Sequence, residues 1–291
     1  MNQKHYTIKD FEREFPDDDA CLDWMMASKY PNGVFCQKCQ RIIKHHRVNG
    51  RTAYACARCG NHVFPLAGTI LEKTTTPLKL WFYAMYKMAA TRCGISARQL
   101  QRETGVTYKT AWRMFHQVRS MLTDNIILEG SSVEIDETYI GGVRRGKRGR
   151  GAAGKSIAIG AVERGGNIIA KKISNVKAST LLPFVRGKVL PRSIIYTDEL
   201  PSYNKLSKEG YDHRRVHHAA KIYVSGDAHT NSIEGFWSLV KRGINGVYHA
   251  VSDKYLQDYL NEYSFRYNRR NSEAAMFGAF LAQLVASKQV E

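Results

Sequence analysis

Val133-Glu134-Ile135-Asp136-Glu137-Thr138-Tyr139-Ile140 alternates apolar and polar residues with the period of two that a β-strand imposes. Adjacent side chains of a strand point to opposite faces, so Asp136 and Glu137 cannot both face one site. Asp136 closes the apolar part of this strand. Working outward, residues 156–163 and 167–173 read as two more strands joined by the Gly165-Gly166 turn. Residues 178–189 are helical, and Ser193-Ile194-Ile195-Tyr196-Thr197 is a short buried strand that ends at Asp198. Pro201 opens a short helix, residues 214–217 form a fifth strand, and residues 230–242 and 253–268 are helical, the first of these carrying Glu234.

Three antiparallel strands, then alternating helices and strands, is the ribonuclease-H-like order, a mixed α/β arrangement. Neighbouring central strands bring Asp136 and Asp198 to one sheet edge, and the later helix brings Glu234 across to face them. Three carboxylates from separate elements suit two Mg²⁺ or Mn²⁺ ions about 3.5–4 Å apart, a clamp for in-line displacement at phosphorus. On the helix, Asn231, Glu234, Trp237, Ser238 and Lys241 share one face by their spacing. Lys241 therefore projects near enough to Glu234 to meet a bound phosphate. Each carboxylate also has a plain structural reading: Asp136 as a strand-end cap, Asp198 as a cap of the next helix, Glu234 as a surface residue. Glu137 and Glu199 are the decoys beside them. His229 reads as support for the metal or a phosphate. His217 and His218 read as phosphate contacts or core residues, and the sequence leaves all three roles open.

The chain has 291 residues, enough for two or three compact units, and a formal charge of +18. So basic a balance points to a polyanion, usually nucleic acid. Hydrophobic residues make up 43%, enough for real cores. No apolar run approaches the roughly 20 residues that span a bilayer, and the polar N-terminus has no signal-peptide core. The expected location is a reducing cytosol, away from any membrane. In that reducing setting cysteines bind metal more often than they form disulfides.

Cys36 and Cys39 form one CxxC, Cys56 and Cys59 a second. Each turn aims two thiolates at one point, and two such turns complete a tetrahedral site for one structural Zn²⁺. Asn49-Gly50 between them is a two-residue hairpin signal. Cys21 and Cys93 stand outside the pattern. From Thr76-Pro77 the sequence turns helical. A short helix over 97–104, a turn at Gly105 and a longer helix capped by Thr107 give the helix-turn-helix layout. Tyr108, Lys109 and Arg113 lie on the leading polar side of its second helix. Residues 141–155 hold six glycines and six Lys or Arg, a mobile basic loop in which Arg144, Arg145, Lys147 and Arg148 are placed to track phosphates. The expected organisation is an N-terminal region over 1–74 with the zinc ribbon at about 30–65, a helix-turn-helix over 75–125, a catalytic domain over 130–275 and a tail over 276–291.

Residues 133–142, Tyr196-Thr197-Asp198 and the segment from His229-Thr230-Asn231 through Lys241-Arg242-Gly243 together resemble bacterial insertion-sequence transposases of the DDE type, in the group with an N-terminal zinc ribbon and a ribonuclease-H-like catalytic domain. The resemblance spans residues 15–270. It implies metal binding at Asp136, Asp198 and Glu234, with a basic residue seven positions after the glutamate, which Lys241 supplies. It implies a polynucleotidyl transferase that binds the inverted repeats of double-stranded transposon ends, hydrolyses a phosphodiester there and transfers the 3′-hydroxyl to target DNA. Pairing of two ends implies a homodimer or larger assembly on DNA. The rival readings are a nuclease of the same fold that cuts without joining, and a DNA-binding regulator or domesticated transposase that uses only the N-terminal modules.

Overall fold

The computed structural model describes residues 6–141, 155–216, 229–272 and 275–286 and divides into two compact units. One comprises residues 1–92, 97–121 and 272–291; the other comprises 93–96 and 122–271.

The first unit opens with two short helices, α1 (Ile8–Glu14) and α2 (Asp18–Lys29). Thr7 and Asp10 cap α1 reciprocally, and Asp17 Oδ1 accepts the Ala20 N–H at 2.8 Å to start α2. The metal-binding region follows as a β1 (Phe35–Cys36) and β2 (Arg41–Ile42) ladder and a three-stranded antiparallel sheet of β3 (His45–Arg47), β4 (Tyr54–Cys56) and β5 (His62–Val63). Asn49-Gly50 lies in a four-residue loop and not in the two-residue turn its sequence suggests. The Val48 N–H donates to Ala53 O at 3.0 Å, which sets the loop at residues 49–52. Arg47 stabilises that longer loop by donating from its guanidinium to the carbonyls of Val48, Arg51 and Ala53.

Three helices come next: α3 (Leu78–Ala90), α4 (Ala97–Thr104) and α5 (Tyr108–Met121). Gly105 takes φ +73° between α4 and α5, a left-handed turn that favours glycine, and the Thr107 hydroxyl accepts the Thr110 N–H at 3.2 Å. Leu100 of α4 and Ala111, Met114, Phe115 and Val118 of α5 are buried.

The second unit is a five-stranded sheet of β6 (Ser132–Ile140), β7 (Ser156–Glu163), β8 (Ile168–Ile173), β9 (Ile194–Thr197) and β10 (Asp212–Arg215), ordered β10-β9-β6-β7-β8. β6, β7 and β8 pair antiparallel, while β9 and β10 run parallel to β6. This is the ribonuclease-H-like strand order. β10 starts two residues before the fifth strand read from the sequence. Strand alternation splits β6 cleanly. Val133 and Ile135 pack into a core with α6 (Ala178–Lys188). Ile140 joins the opposite core, formed with α7 (Asn231–Gly243) and α8 (Leu256–Asn268). α7 runs on into a π-helical turn, Ile244–Tyr248.

Residues 276–286, read from the sequence as part of a tail, form helix α9 (Met276–Ala286) and return to the first unit. The Phe277 ring lies 5.0 Å from Tyr6, 6.1 Å from Phe11, 6.0 Å from Phe15 and 5.7 Å from Tyr86. The helix fills an aromatic core with the chain's own N-terminus. Among the described residues, no helix is long and apolar enough to cross a membrane.

Candidate active site

Asp136 lies in the middle of β6, opposite Gly160 of β7, and not at the strand's end as its sequence suggests. The strand stays regular because its full length is paired to β7. Pairing with β9, however, stops at Glu134 and Tyr196. Continuing that register by two residues sets Asp136 beside Asp198, just past the last parallel pair. Asp198 then turns the chain into a 3₁₀ helix, Pro201–Tyr203. Glu234 sits in the first turn of α7, which crosses the same face of the sheet.

The electrostatics agree with this placement. Burial pushes the Asp136 carboxyl up to about 7; the charges of Glu137, Asp198 and Glu234 push the same way, against a hydrogen bond from the Glu137 backbone. The carboxylates therefore share one field. Glu137 is on the other face, where its Oε2 accepts from Tyr203 Oη at 3.1 Å. Burial and the charges of Glu137, Asp136 and Asp198 raise the Tyr203 hydroxyl well above its ordinary value. Glu199 is exposed.

Two of the three expected ligands are engaged locally. Asp198 Oδ1 accepts the Leu200 N–H at 2.9 Å, a local turn ahead of the helix rather than a cap on it, since the N-cap is Leu200 and no side chain caps that helix; Glu234 Oε1 accepts from Thr230 Oγ1 at 2.9 Å. The carboxylates of Asp136, Asp198 and Glu234 do not form a group with all ligand atoms within 4.8 Å of one another; among the described residues that compactness belongs to the four cysteines. A two-ion site is wider. Ions about 3.5–4 Å apart, each with oxygens at about 2.1 Å, spread their ligands over about 8 Å. A partly buried cluster of carboxylates that holds a proton to near neutrality fits such cations, because they would relieve the repulsion.

Asp136, Glu234, Trp237, Ser238, Lys241, Arg242, Asn245 and Gly246 line a cavity of about 670 Å³. Its lining thus combines two acidic residues, Asp136 and Glu234, with two basic ones, Lys241 and Arg242. The helical face read from the sequence supplies Glu234, Trp237, Ser238 and Lys241. Arg242, Asn245 and Gly246 are additions. The last two come from the π-helical turn that prolongs α7 past Gly243; Asn245 stands four residues after Lys241, in line with the same face. Trp237 Nε1 is buried with no hydrogen-bond partner among the described residues.

The largest omission from the sequence reading is Glu134, whose side chain is fully buried. Its Oε2 accepts the backbone N–H of Ser232 at 2.8 Å and of Ile233 at 3.1 Å; its Oε1 accepts Arg164 Nε at 2.9 Å and Ser232 Oγ at 3.3 Å. His229 Nδ1 approaches the same oxygen at 3.2 Å without the alignment of a hydrogen bond.

The four cysteines meet at one point, all sulfurs within 4.8 Å, with Cys36 to Cys59 at 3.5 Å and Cys39 to Cys56 at 4.0 Å. Zn–S bonds of about 2.3 Å give tetrahedron edges of about 3.8 Å, so the thiols fit one zinc ion. The two knuckles are built alike. The N–H of Gln40 donates to Cys36 O at 2.8 Å and that of Gly60 to Cys56 O at 3.0 Å, each from a left-handed residue. Burial raises the Cys56 thiol, but backbone N–H groups of Cys59 and Arg58 and the neighbouring thiols outweigh it and bring it down to about 6. The bond to Cys59, then burial and the other thiols, push Cys39 up to about 12, so without metal the cluster holds thiolate and thiol side by side.

Of the residues expected to meet DNA, Tyr108 and Lys109 are exposed at the start of α5, with Arg98 stacked 4.4 Å from the Tyr108 ring centre. Arg113 donates to Thr76 Oγ1 at 3.2 Å and lies 5.9 Å from the Trp81 ring centre. Arg144, Arg145, Lys147 and Arg148, like His217 and His218, lie outside the described residues.

Two family profiles match the chain: a "transposase zinc-ribbon domain" over residues 16–62 and an "ISXO2-like transposase domain" over residues 127–268. A protein of Halobacterium salinarum, described as an uncharacterized protein in transposable element ISH50, is 29% identical over 87% of this chain and 92% of its own length. An uncharacterized transposase-like protein of Haemophilus influenzae is 34% identical over 40% of this chain and 93% of its own length. Among solved structures, a chain of the simian T-cell lymphotropic virus intasome complexed with PP2A regulatory subunit B56 gamma aligns over 72% of this chain and 74% of its own. Its identity is 13% and its TM-score 0.32, too low to bear on the fold. With a zinc-ribbon profile on the cysteine tetrad, a transposase profile across the carboxylate-bearing sheet, and close agreement over nearly the whole Haemophilus protein, the chain belongs to the insertion-sequence transposases with an ISXO2-like transposase domain.

Proposed function

We propose that this chain is a metal-dependent DNA transposase that hydrolyses the phosphodiester at an element's end and joins the freed 3′-hydroxyl to target DNA. The observation that carries the reading is the cavity in which Asp136 and Glu234 face Lys241 and Arg242. Asp136, Asp198 and Glu234 hold the divalent cations. When bound there, a pair of Mg²⁺ or Mn²⁺ ions supplies a Lewis acid for both the attacking and the leaving oxygen. Lys241 and Arg242, about two turns along α7, place positive charge against the phosphates beside the bond being cut. Asp136 sheds its proton as it takes up a ligand role, and the Thr230 hydroxyl releases or shares the Glu234 carboxylate. No covalent link between protein and DNA is required, so no Ser or Tyr nucleophile is assigned.

The helix-turn-helix formed by α4 and α5, with Tyr108 and Lys109 exposed, binds the terminal inverted repeats. The zinc ribbon assists, and the charge of +18 adds a sequence-independent hold on the backbone. Two ends brought together call for a dimer or larger assembly on DNA. The test is incubation of the protein with a labelled duplex carrying the repeat that flanks its gene, plasmid DNA as target, and Mg²⁺ or Mn²⁺. Joined products are expected. Cutting without joining would make it a nuclease, and binding with neither step would make it a regulator.

A further inference from the structure

Glu134 is a buried carboxylate that the proposed chemistry does not use, and its partners form a pattern. It accepts from Ser232 and Ile233, which lie two and one residues before Glu234. It stands two residues before Asp136 on the same face of β6. Through Arg164 it reaches Tyr196, which lies two residues before Asp198: the Arg164 guanidinium sits 3.9 Å from the Tyr196 ring centre while its Nε donates to Glu134. Tyr196 is also the strand partner of Glu134. The same guanidinium donates from Nη2 to His229 O at 2.8 Å, holding the residue that leads into α7. One network therefore grips all three elements that carry the expected ligands, in each case within two residues of the ligand itself.

We propose that Glu134, with Arg164, is a positioning residue for the divalent-metal site. It fixes the start of α7 against β6 and β9 so that Asp136, Asp198 and Glu234 face one another. The inference rests on the assignment of those three carboxylates as metal ligands. The physical reason is directional. α7 begins with unpaired N–H groups and the positive end of its dipole, and a carboxylate fixed in a sheet can satisfy two of those groups only at one helix position and one rotation. A helix free to slide or turn at this end would carry Glu234 away from Asp136. Strand β6 alone does not prevent this, because the charges of Asp136 and of Glu234 on α7 repel each other. Partners that orient metal ligands from outside the coordination sphere cost about 10–100-fold in metal affinity when removed.

The experiment is Mn²⁺ titration of the zinc-loaded full-length protein, following free Mn²⁺ by electron paramagnetic resonance, with circular dichroism and melting temperature recorded for each variant. Asp136→Asn defines the carboxylate-dependent binding. Glu134→Gln keeps the shape but replaces one acceptor oxygen with an amide that repels a donor. It should keep the fold and weaken Mn²⁺ binding about 10–100-fold. A lowered melting temperature with unchanged Mn²⁺ affinity would mean that Glu134 only stabilises the fold, and would overturn the proposal. If Glu134→Gln fails to fold, Arg164→Lys decides: weakened Mn²⁺ binding supports the proposal and unchanged binding overturns it. If wild type and Asp136→Asn bind Mn²⁺ alike, the ligand assignment itself fails and this inference falls with it.

Discussion

Gly160 is the strand partner of Asp136, and a Cβ there would lie 2.7 Å from Trp237 Cζ2 and 2.8 Å from Ile233 Cδ1. Both are residues of α7, one on each side of Glu234. The missing side chain lets the helix lie close to the sheet beside Asp136. Gly160→Ala should force α7 outward, because an indole and an isoleucine packed against a strand have little room to yield. The expected cost is about 1–3 kcal/mol of stability. Catalysis should fall further than that loss of fold explains, because Glu234 moves relative to Asp136. Thermal melting and a cleavage assay on the same preparation check both parts.

Asp198→Asn should abolish DNA cleavage while sparing binding to the element's end. The amide keeps an oxygen for the Leu200 N–H, so the local turn survives. Band-shift and cleavage assays separate the two outcomes; loss of end binding would make Asp198 structural.

Divalent cations should stabilise the protein more at alkaline than at acidic pH. Asp136 keeps its proton to about 7 in the folded chain against an ordinary value of 3.8. Between those values the folded state holds the extra proton, so in the absence of metal this group's contribution to stability is lost as pH rises through the window. Above it, the carboxylates repel in full and a cation relieves them; below it, the cation must displace a proton. The rise in melting temperature with saturating Mn²⁺ should be larger at about pH 8 than at about pH 5.5. An equal rise would place Mn²⁺ away from Asp136.

Cys56→Ser should release the zinc and unfold the knuckles, lowering DNA affinity without touching the carboxylate cavity. Metal analysis by mass spectrometry reads the first effect directly. Unchanged zinc content would remove Cys56 from the ligand set.

Phe277→Ala should destabilise the unit that holds the zinc ribbon and helices α3, α4 and α5, by about 3–5 kcal/mol, because the ring fills an aromatic core with Tyr6, Phe11, Phe15 and Tyr86. Mn²⁺ binding by the carboxylates should persist. Calorimetry that resolves two transitions would show the first one lowered and the second unchanged.

The central sheet was legible in the sequence because its strands obey one local rule, alternation, and its helices another, the 3.6-residue repeat. Both rules act over a few residues. The same spacing placed Lys241 on the face of Glu234. Glu134 was not legible, although it lies in the most informative stretch of the chain. Its partners Ser232 and Ile233 stand about a hundred residues away, and a carboxylate on a strand says nothing of which helix start it will meet. Asn245 and Gly246 escaped because the helical pattern in the sequence ends at Arg242 while the helix runs on into a π-helical turn, and Arg242 stands one position round from Lys241, at the edge of the face. α9 was legible in principle: Phe277, Phe280, Leu281 and Leu284 are spaced as one helical face. So were α1 and α2, which start at Thr7 and Asp17, each with a side chain that caps the first turn.

The most direct measurement is single-turnover cleavage of an end-bearing duplex by wild type and by Asp136→Asn, with Mn²⁺ present and DNA binding shown to be equal. The metal-site account predicts a loss of at least about 10³-fold in the variant. Cleavage at the wild-type rate would contradict it and move the chemistry away from β6.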